Sequence, residues 1–183
     1  MADIRIYSTD KAVGYGHPTF PDVINRPLAV SHDSSGHHTT VDFCGFSINK
    51  NGTNQSLSSG NVIVTFSTAG ISFHSGGFTI TSTGFSCPST GIYHFSGLFQ
   101  VAVTATGAYQ QINLLRNSSF ILYGPAHQNK NAGDMSLFFS GLAVCASTTD
   151  IFSINHYANA ASTIYGSDTA VTYLGVYKIG GTT

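Results

Sequence analysis

From residue 41 to residue 180 the chain repeats one pattern: a short run rich in Val, Ile, Thr, Tyr and Phe, then a break of Gly, Asn, Ser or Pro. Such runs are β-strands bounded by turns. They predict strands over 41–48, 61–68, 77–83, 91–104, 108–117, 119–124, 134–147, 150–158 and 170–180. The stretch TSTGFSCPSTGIYHFSG (81–97) reads as a hairpin of two alternating runs joined at a Pro-Ser-Thr-Gly corner. No apolar period of 3.6 survives a turn, so helices are not expected. Eight to ten short antiparallel strands at this spacing predict a sandwich or jelly roll.

The parity of the long strands departs from that of an ordinary half-wet sheet. In 91–104 the odd positions Tyr93, Phe95, Phe99, Val101 and Val103 make a core face. The even positions include Ile92, His94 and Leu98, and are half apolar. In 134–147, Met135, Leu137 and Phe139 oppose Phe138, Leu142 and Val144; in 170–180, Tyr173 and Tyr177 oppose Leu174 and Val176. A sandwich strand normally keeps one solvated face. Strands apolar on both faces imply that a second protein surface covers one of them. Ile92, His94, Leu98, Phe138, Leu142, Leu174 and Val176 are the expected subunit-contact residues.

Charge sharpens this expectation. Charged residues make up 8% of the 183, with no glutamate, no tryptophan and a net charge of −1. Ordinary globular chains carry roughly 25%, so a surface shared among copies is expected. The near-neutral balance predicts no nucleic-acid partner, and no run approaches the roughly 20 apolar residues of a membrane span. The opening MADIRIYSTDK is charged where a secretion signal is apolar, so no signal is expected there. Cys44, Cys87 and Cys145 are widely spaced and odd in number, which predicts reduced, buried thiols rather than a disulfide framework.

Seven of the fifteen charges fall in residues 1–40, and this segment is broken by Pro18, Pro21 and Pro27. It predicts an extended arm (1–40) that cannot bury a core alone, ahead of a β domain (41–183).

Two resemblances extend this picture. TSTGFSCPSTGIYHFSGLFQV is similar to the "stGxFtCPxxGxYxFs" segment of the complement C1q globular-head family, the complement–TNF jelly rolls. VDFCGFSINKNGTNQSL, INLLRNSS, MSLFFSGLAVCASTTDIFSI and TAVTYLGVYKIG resemble its other landmarks in order. Ser118 stands where the family often has glycine, and Thr149-Asp150 replaces its usual Gly-Asp. The resemblance implies an all-β, ten-strand antiparallel jelly-roll sandwich assembled as a homotrimer. The arm resembles N-terminal segments of bacteriophage appendage proteins, in which "GHPxxPDxxNR" precedes "HDxxGxH". That likeness implies particle anchoring through His17, Pro18, Pro21, Asp22, Asn25, Arg26, His32, Asp33 and His37.

Together these imply a non-enzymatic virion protein, a trimeric fibre, spike or decoration head assembled in the host cytoplasm. Its partners would be other copies of itself, capsid or tail proteins, and host surface carbohydrate. The alternative is a free bacterial carbohydrate-binding or adhesion module. Loop aromatics and amides, Tyr109, Tyr123, His127, Asn129, Tyr157 and Tyr165, are the candidates for stacking on sugar rings. No G-x-S-x-G elbow, H-E-x-x-H, P-loop or C-x-x-C occurs, so no catalytic residue is assigned. His32 with His37 or His38 could meet their copies on a three-fold axis around a transition metal, but hydrogen-bonded histidines are the simpler expectation. Asp134, Asp150 and Asp168 form no dense calcium loop. No cofactor or metal is predicted.

Overall fold

The computed structural model describes residues 30–32, 38–40, 44–166 and 172–181. The chain divides into two compact units, 1–42 and 43–183. In the first, β1 (Val30–His32) and β2 (His38–Thr40) pair antiparallel, with His32 opposite His38. Of the expected anchoring residues, His17, Pro18, Pro21, Asp22, Asn25, Arg26, Asp33 and His37 lie outside the described residues, as does the side chain of His32.

The second unit is built from short strands. They begin with β3 (Gly45–Asn49), β4 (Gln55–Leu57), β5 (Gly60–Ile63), β6 (Ile71–Ser75), β7 (Thr79–Ile80) and β8 (Phe85–Ser86). The longer β9 (Gly91–Val103), β10 (Tyr109–Arg116), β11 (Ser119–Gln128), β12 (Gly133–Cys145) and β13 (Ile151–Ala158) follow. β14 (Ser162–Ile164) and β15 (Thr172–Gly180) close the chain. Among the described residues the one helical element is a 3-10 turn at Thr68–Gly70.

Within this unit all pairings are antiparallel and fall into two sheets. The first runs β11–β10–β13, and β13 continues to β5 and to the β8–β7 pair. The second centres on β9. β12 covers its full length on one side, while β15 and β14 share the other; β3 and β6 extend beyond β15, and β4 beyond β14. The sheets hold six and seven strands rather than ten in all. The extra pieces, such as β4, β7 and β14, are two or three residues long and fall where turns interrupt the pairing.

The expected hairpin over 81–97 is a correction. β8 pairs with β7 and β13 in the first sheet, whereas β9 belongs to the second. The Pro-Ser-Thr-Gly stretch is therefore a corner that carries the chain from one sheet to the other. Tyr93 holds it by donating its hydroxyl to the Ser89 carbonyl at 2.9 Å.

The core lies between the sheets. β9 alternates strictly along its length, with Tyr93, Phe95, Phe99, Val101 and Val103 buried. They meet Ile112, Leu114, Phe152 and Ile154 of the first sheet in one cluster. Phe95 and Phe152 rings approach to 5.4 Å, and Phe46 and Phe85 to 4.9 Å. Burying each such ring contributes about 1.5–3 kcal/mol, which lets a chain with so little charge fold without disulfides.

The β10–β11 turn shows sequence setting local geometry. Asn117 and Ser118 both adopt left-handed backbone, with φ of 51° and 67°, as a two-residue type I′ hairpin requires. Asn117 also receives the Ile151 amide at 2.8 Å and donates to Asp150 at 2.8 Å. Asp150 accepts the Ala146 and Ser147 amides, both at 3.0 Å, and so ties two turns together. Burial pushes its carboxyl pKa up, but the hydrogen bonds from Asn117, Ser147 and Ala146 outweigh this and hold it below the ordinary value.

Candidate functional site

The outer face of the β9-centred sheet follows from the alternation of β9. Positions inward at Tyr93, Phe95 and Phe99 force Ile92, His94, Leu98 and Gln100 outward, all half-buried. Register then assembles the face. His94 lies between Leu142 and Tyr177, and Leu98 between Phe138 and Tyr173. Phe138 is 65% exposed, Leu142 55% and Val144 45%. Tyr173 and Tyr177 are also exposed, and Phe73 of β6 extends the surface beyond β3.

The centre of this face carries no charge: between the apolar side chains stand Ser96, Gln100 and Ser140. His94 is the one ionisable ring among them apart from the tyrosines. It meets the Ser140 hydroxyl at 3.0 Å and packs its ring 5.0 Å from Tyr177. Its Nδ1 is buried without a partner. Large apolar side chains exposed side by side, rather than scattered singly, mark an interaction surface.

Leu174 and Val176 require correction. Each is 1% exposed and belongs to the core cluster. Leu174 pairs with Gly97 and Ile48, and Val176 with Phe95 and Phe46, on the inward side of the sheet. The outward positions of β15 are Tyr173 and Tyr177. Both parities of 170–180 are apolar, so period two alone could not say which side faces in. The remaining expected contact residues, Ile92, His94, Leu98, Phe138 and Leu142, share the outer face.

The six expected ligand-loop residues do not form one site. Tyr109, Tyr123 and Tyr157 lie on strands, on the outer face of the β11–β10–β13 sheet, with Tyr109 and Tyr157 edge to face at 5.8 Å. His127 is opposite the buried Gln110, on the inward side. Asn129 closes a turn through backbone bonds with Ala108 and Gly107. Tyr165 donates its hydroxyl to Asp134 at 3.0 Å, next to the other sheet.

Three groups escaped the sequence reading. The thiols of Cys44, Cys87 and Cys145 are free, and they gather at one end of the sandwich. The Cys87 and Cys145 side chains share a hydrogen bond, and burial pushes the Cys87 thiol pKa well up. Lys50 is buried, donates to the Thr65 carbonyl at 2.5 Å and to Gln55 at 3.2 Å, and has its pKa lowered by burial to about 8. Gln110 and His156 are wholly buried between the sheets with their polar atoms unpartnered. Spacing along the chain signals none of these, because each arises from cross-strand register.

Among the described residues no group of three or more His, Cys, Asp or Glu side chains is placed to hold a metal ion. Asp150 is consumed by its turn, Asp134 by Tyr165, and Asp168 lies outside the described residues.

No family model and no curated protein matches the chain. Solved structures do. Eiger TNF from S. frugiperda superposes with a TM-score of 0.59 at 12% identity, over 78% of this chain and 96% of that one. Murine APRIL at pH 5.0 gives 0.55 at 15% identity, and at pH 8.5 it gives 0.54 at 13%; each covers 75% of this chain and 99% of the other. Identities this low speak to architecture alone. The second unit of this chain has the all-β jelly-roll fold of TNF-like domains.

Proposed function

We propose that the chain is a non-enzymatic structural protein of a bacteriophage particle, a trimeric head carried by an N-terminal anchoring arm. The observation that carries the self-assembly is the uncharged centre of the outer face of the β9-centred sheet, with Phe138, Leu142 and Val144 exposed in the single chain. A further copy of the chain is the natural cover for such a face: in a three-fold ring each copy sets one surface against a different surface of the next, and the rotation closes the assembly. Its Ser and Gln positions supply hydrogen bonds across the seam without stranding a charge. Three copies are the number that the C1q-family likeness of residues 41–180 implies.

The particle role rests on the arm, whose GHPTFPDVINR and HDSSGHH stretches resemble phage attachment segments. In this reading residues 1–40 dock on capsid or tail, and the head projects outward from a virion assembled in the host cytoplasm. Deleting residues 1–40 tests it. The truncated protein is expected to keep the number of copies of the full-length assembly but to be missing from purified particles. Continued incorporation into particles refutes the anchor.

A further inference from the structure

We propose that the outer face of the β11–β10–β13 sheet binds uncharged carbohydrate, with the Phe120–Tyr123 pair as its stacking platform. This deepens the reading of the chain as an outward-facing head and rests on it.

Phe120 and Tyr123 stack with ring centroids 5.4 Å apart and planes 13° from parallel. They remain 37% and 64% exposed. Two large rings held parallel on a strand, yet left open to water, offer a flat π surface to a ligand. A pyranose ring presents its C–H groups to such a surface and its hydroxyls to the rim.

The rim is amide. Asn113 lies directly opposite Tyr123 on one side and Asn155 on the other. The Asn113 amide donates to Asn155 at 3.5 Å, and Asn155 donates onward to the Val62 carbonyl at 3.5 Å. This leaves the Asn113 Oδ1 without a partner, although the residue is 1% exposed. An unpaired buried acceptor is costly, and an outward turn of the Asn113 amide beside Tyr123 would let a ligand hydroxyl satisfy it. Tyr157, two strands away at a spacing of about 9–10 Å, extends the surface beyond a single ring.

Charge selects the ligand class. No outward position on β10, β11 or β13 is Asp, Lys or Arg along the stretch from Tyr109 to Leu115 and its cross-strand partners. Arg116, just past it, spends its guanidinium on the Val144 carbonyl at 3.0 Å. With no cation to recognise a carboxylate, sulfate or phosphate, the surface fits a neutral hexose or N-acetylhexosamine.

Binding is followed by isothermal titration calorimetry, because the nine tyrosines are spread over both sheets and the Tyr123 variants each remove one of them. Maltohexaose, mannohexaose, galactotetraose and chitohexaose, with a sialylated oligosaccharide as the anionic control, are titrated while the mass of the same sample is measured. The expected result is saturable binding of at least one neutral glycan. Tyr123→Ala, truncating an exposed ring, should weaken it about tenfold or more, and Tyr123→Phe should keep it within about twofold. No binding by a correctly assembled head, binding of the sialylated glycan alone, or binding indifferent to Tyr123→Ala overturns the proposal. A chain that runs as a monomer yet binds through Tyr123 supports this proposal and refutes the trimer instead.

Discussion

Acid reaches the interior of the sandwich through His156. Its side chain faces between the sheets, opposite Ile112 on β10 and Val62 on β5. It is wholly buried, and neither ring nitrogen has a partner. Burial pushes its pKa from 6.5 down to about 4. At pH 7 the ring is neutral in the folded and unfolded chain alike. As pH falls below 6.5 the unfolded chain takes up a proton that the folded chain refuses until about pH 4. Stability present above 6.5 is therefore lost progressively down to the folded value. That gap, at about 1.4 kcal/mol per pH unit, is worth roughly 3 kcal/mol. For a chain of this size it corresponds to a melting shift of about 10 °C.

His156→Leu fills much the same space, removes two unpartnered polar atoms and leaves nothing to titrate. The melting temperatures of the two proteins, taken by circular dichroism at pH 7, 5.5 and 4 and at one protein concentration, should diverge as pH falls. The wild type loses about 10 °C more than the variant. Every other titratable group is common to both proteins and cancels in the difference. Parallel pH profiles for wild type and His156→Leu would refute the reasoning.

Three further outcomes are expected. Ser118→Gly should stabilise the protein by about 0.5–1 kcal/mol in denaturant titration, because φ of 67° suits glycine better than serine. Asp150→Ala should cost roughly 2–4 kcal/mol by the same measurement, since it strands the Ala146 and Ser147 amides and the Asn117 side chain at once. Cys87 and Cys145 should resist iodoacetamide at pH 8 in the native protein and react fully in denaturant, as read by intact mass, because burial holds both thiols protonated.

How far the sequence reached depended on whether one face of a strand was distinct. β9 was legible because its odd positions, Gly91 and Gly97 apart, are aromatic or β-branched, and the structure buries those very residues. β15 was not legible, since Tyr173 and Tyr177 match Leu174 and Val176 in apolar bulk and only pairing with β9 and β3 decides the face. The Pro-Ser-Thr-Gly corner was misread because period two ends identically at a hairpin and at a crossing between sheets. Tyr123 was singled out as a ligand residue, but its partner Phe120 was hidden in a run, SFILYG, that looked like plain strand. The thiol cluster and the burial of Gln110 and His156 come from register between distant strands, to which local pattern is blind.

The central claim is that the face bearing Phe138 and Leu142 is where copies of the chain meet. Sedimentation equilibrium of the full chain tests it most directly, set beside a Phe138→Asp/Leu142→Asp double variant whose circular dichroism shows it folded. The wild type is expected at about 58 kDa, three times 19.3 kDa, and the variant at the mass of one chain. A monomeric wild type at tens of micromolar, or a folded double variant that keeps the full mass, would contradict the account.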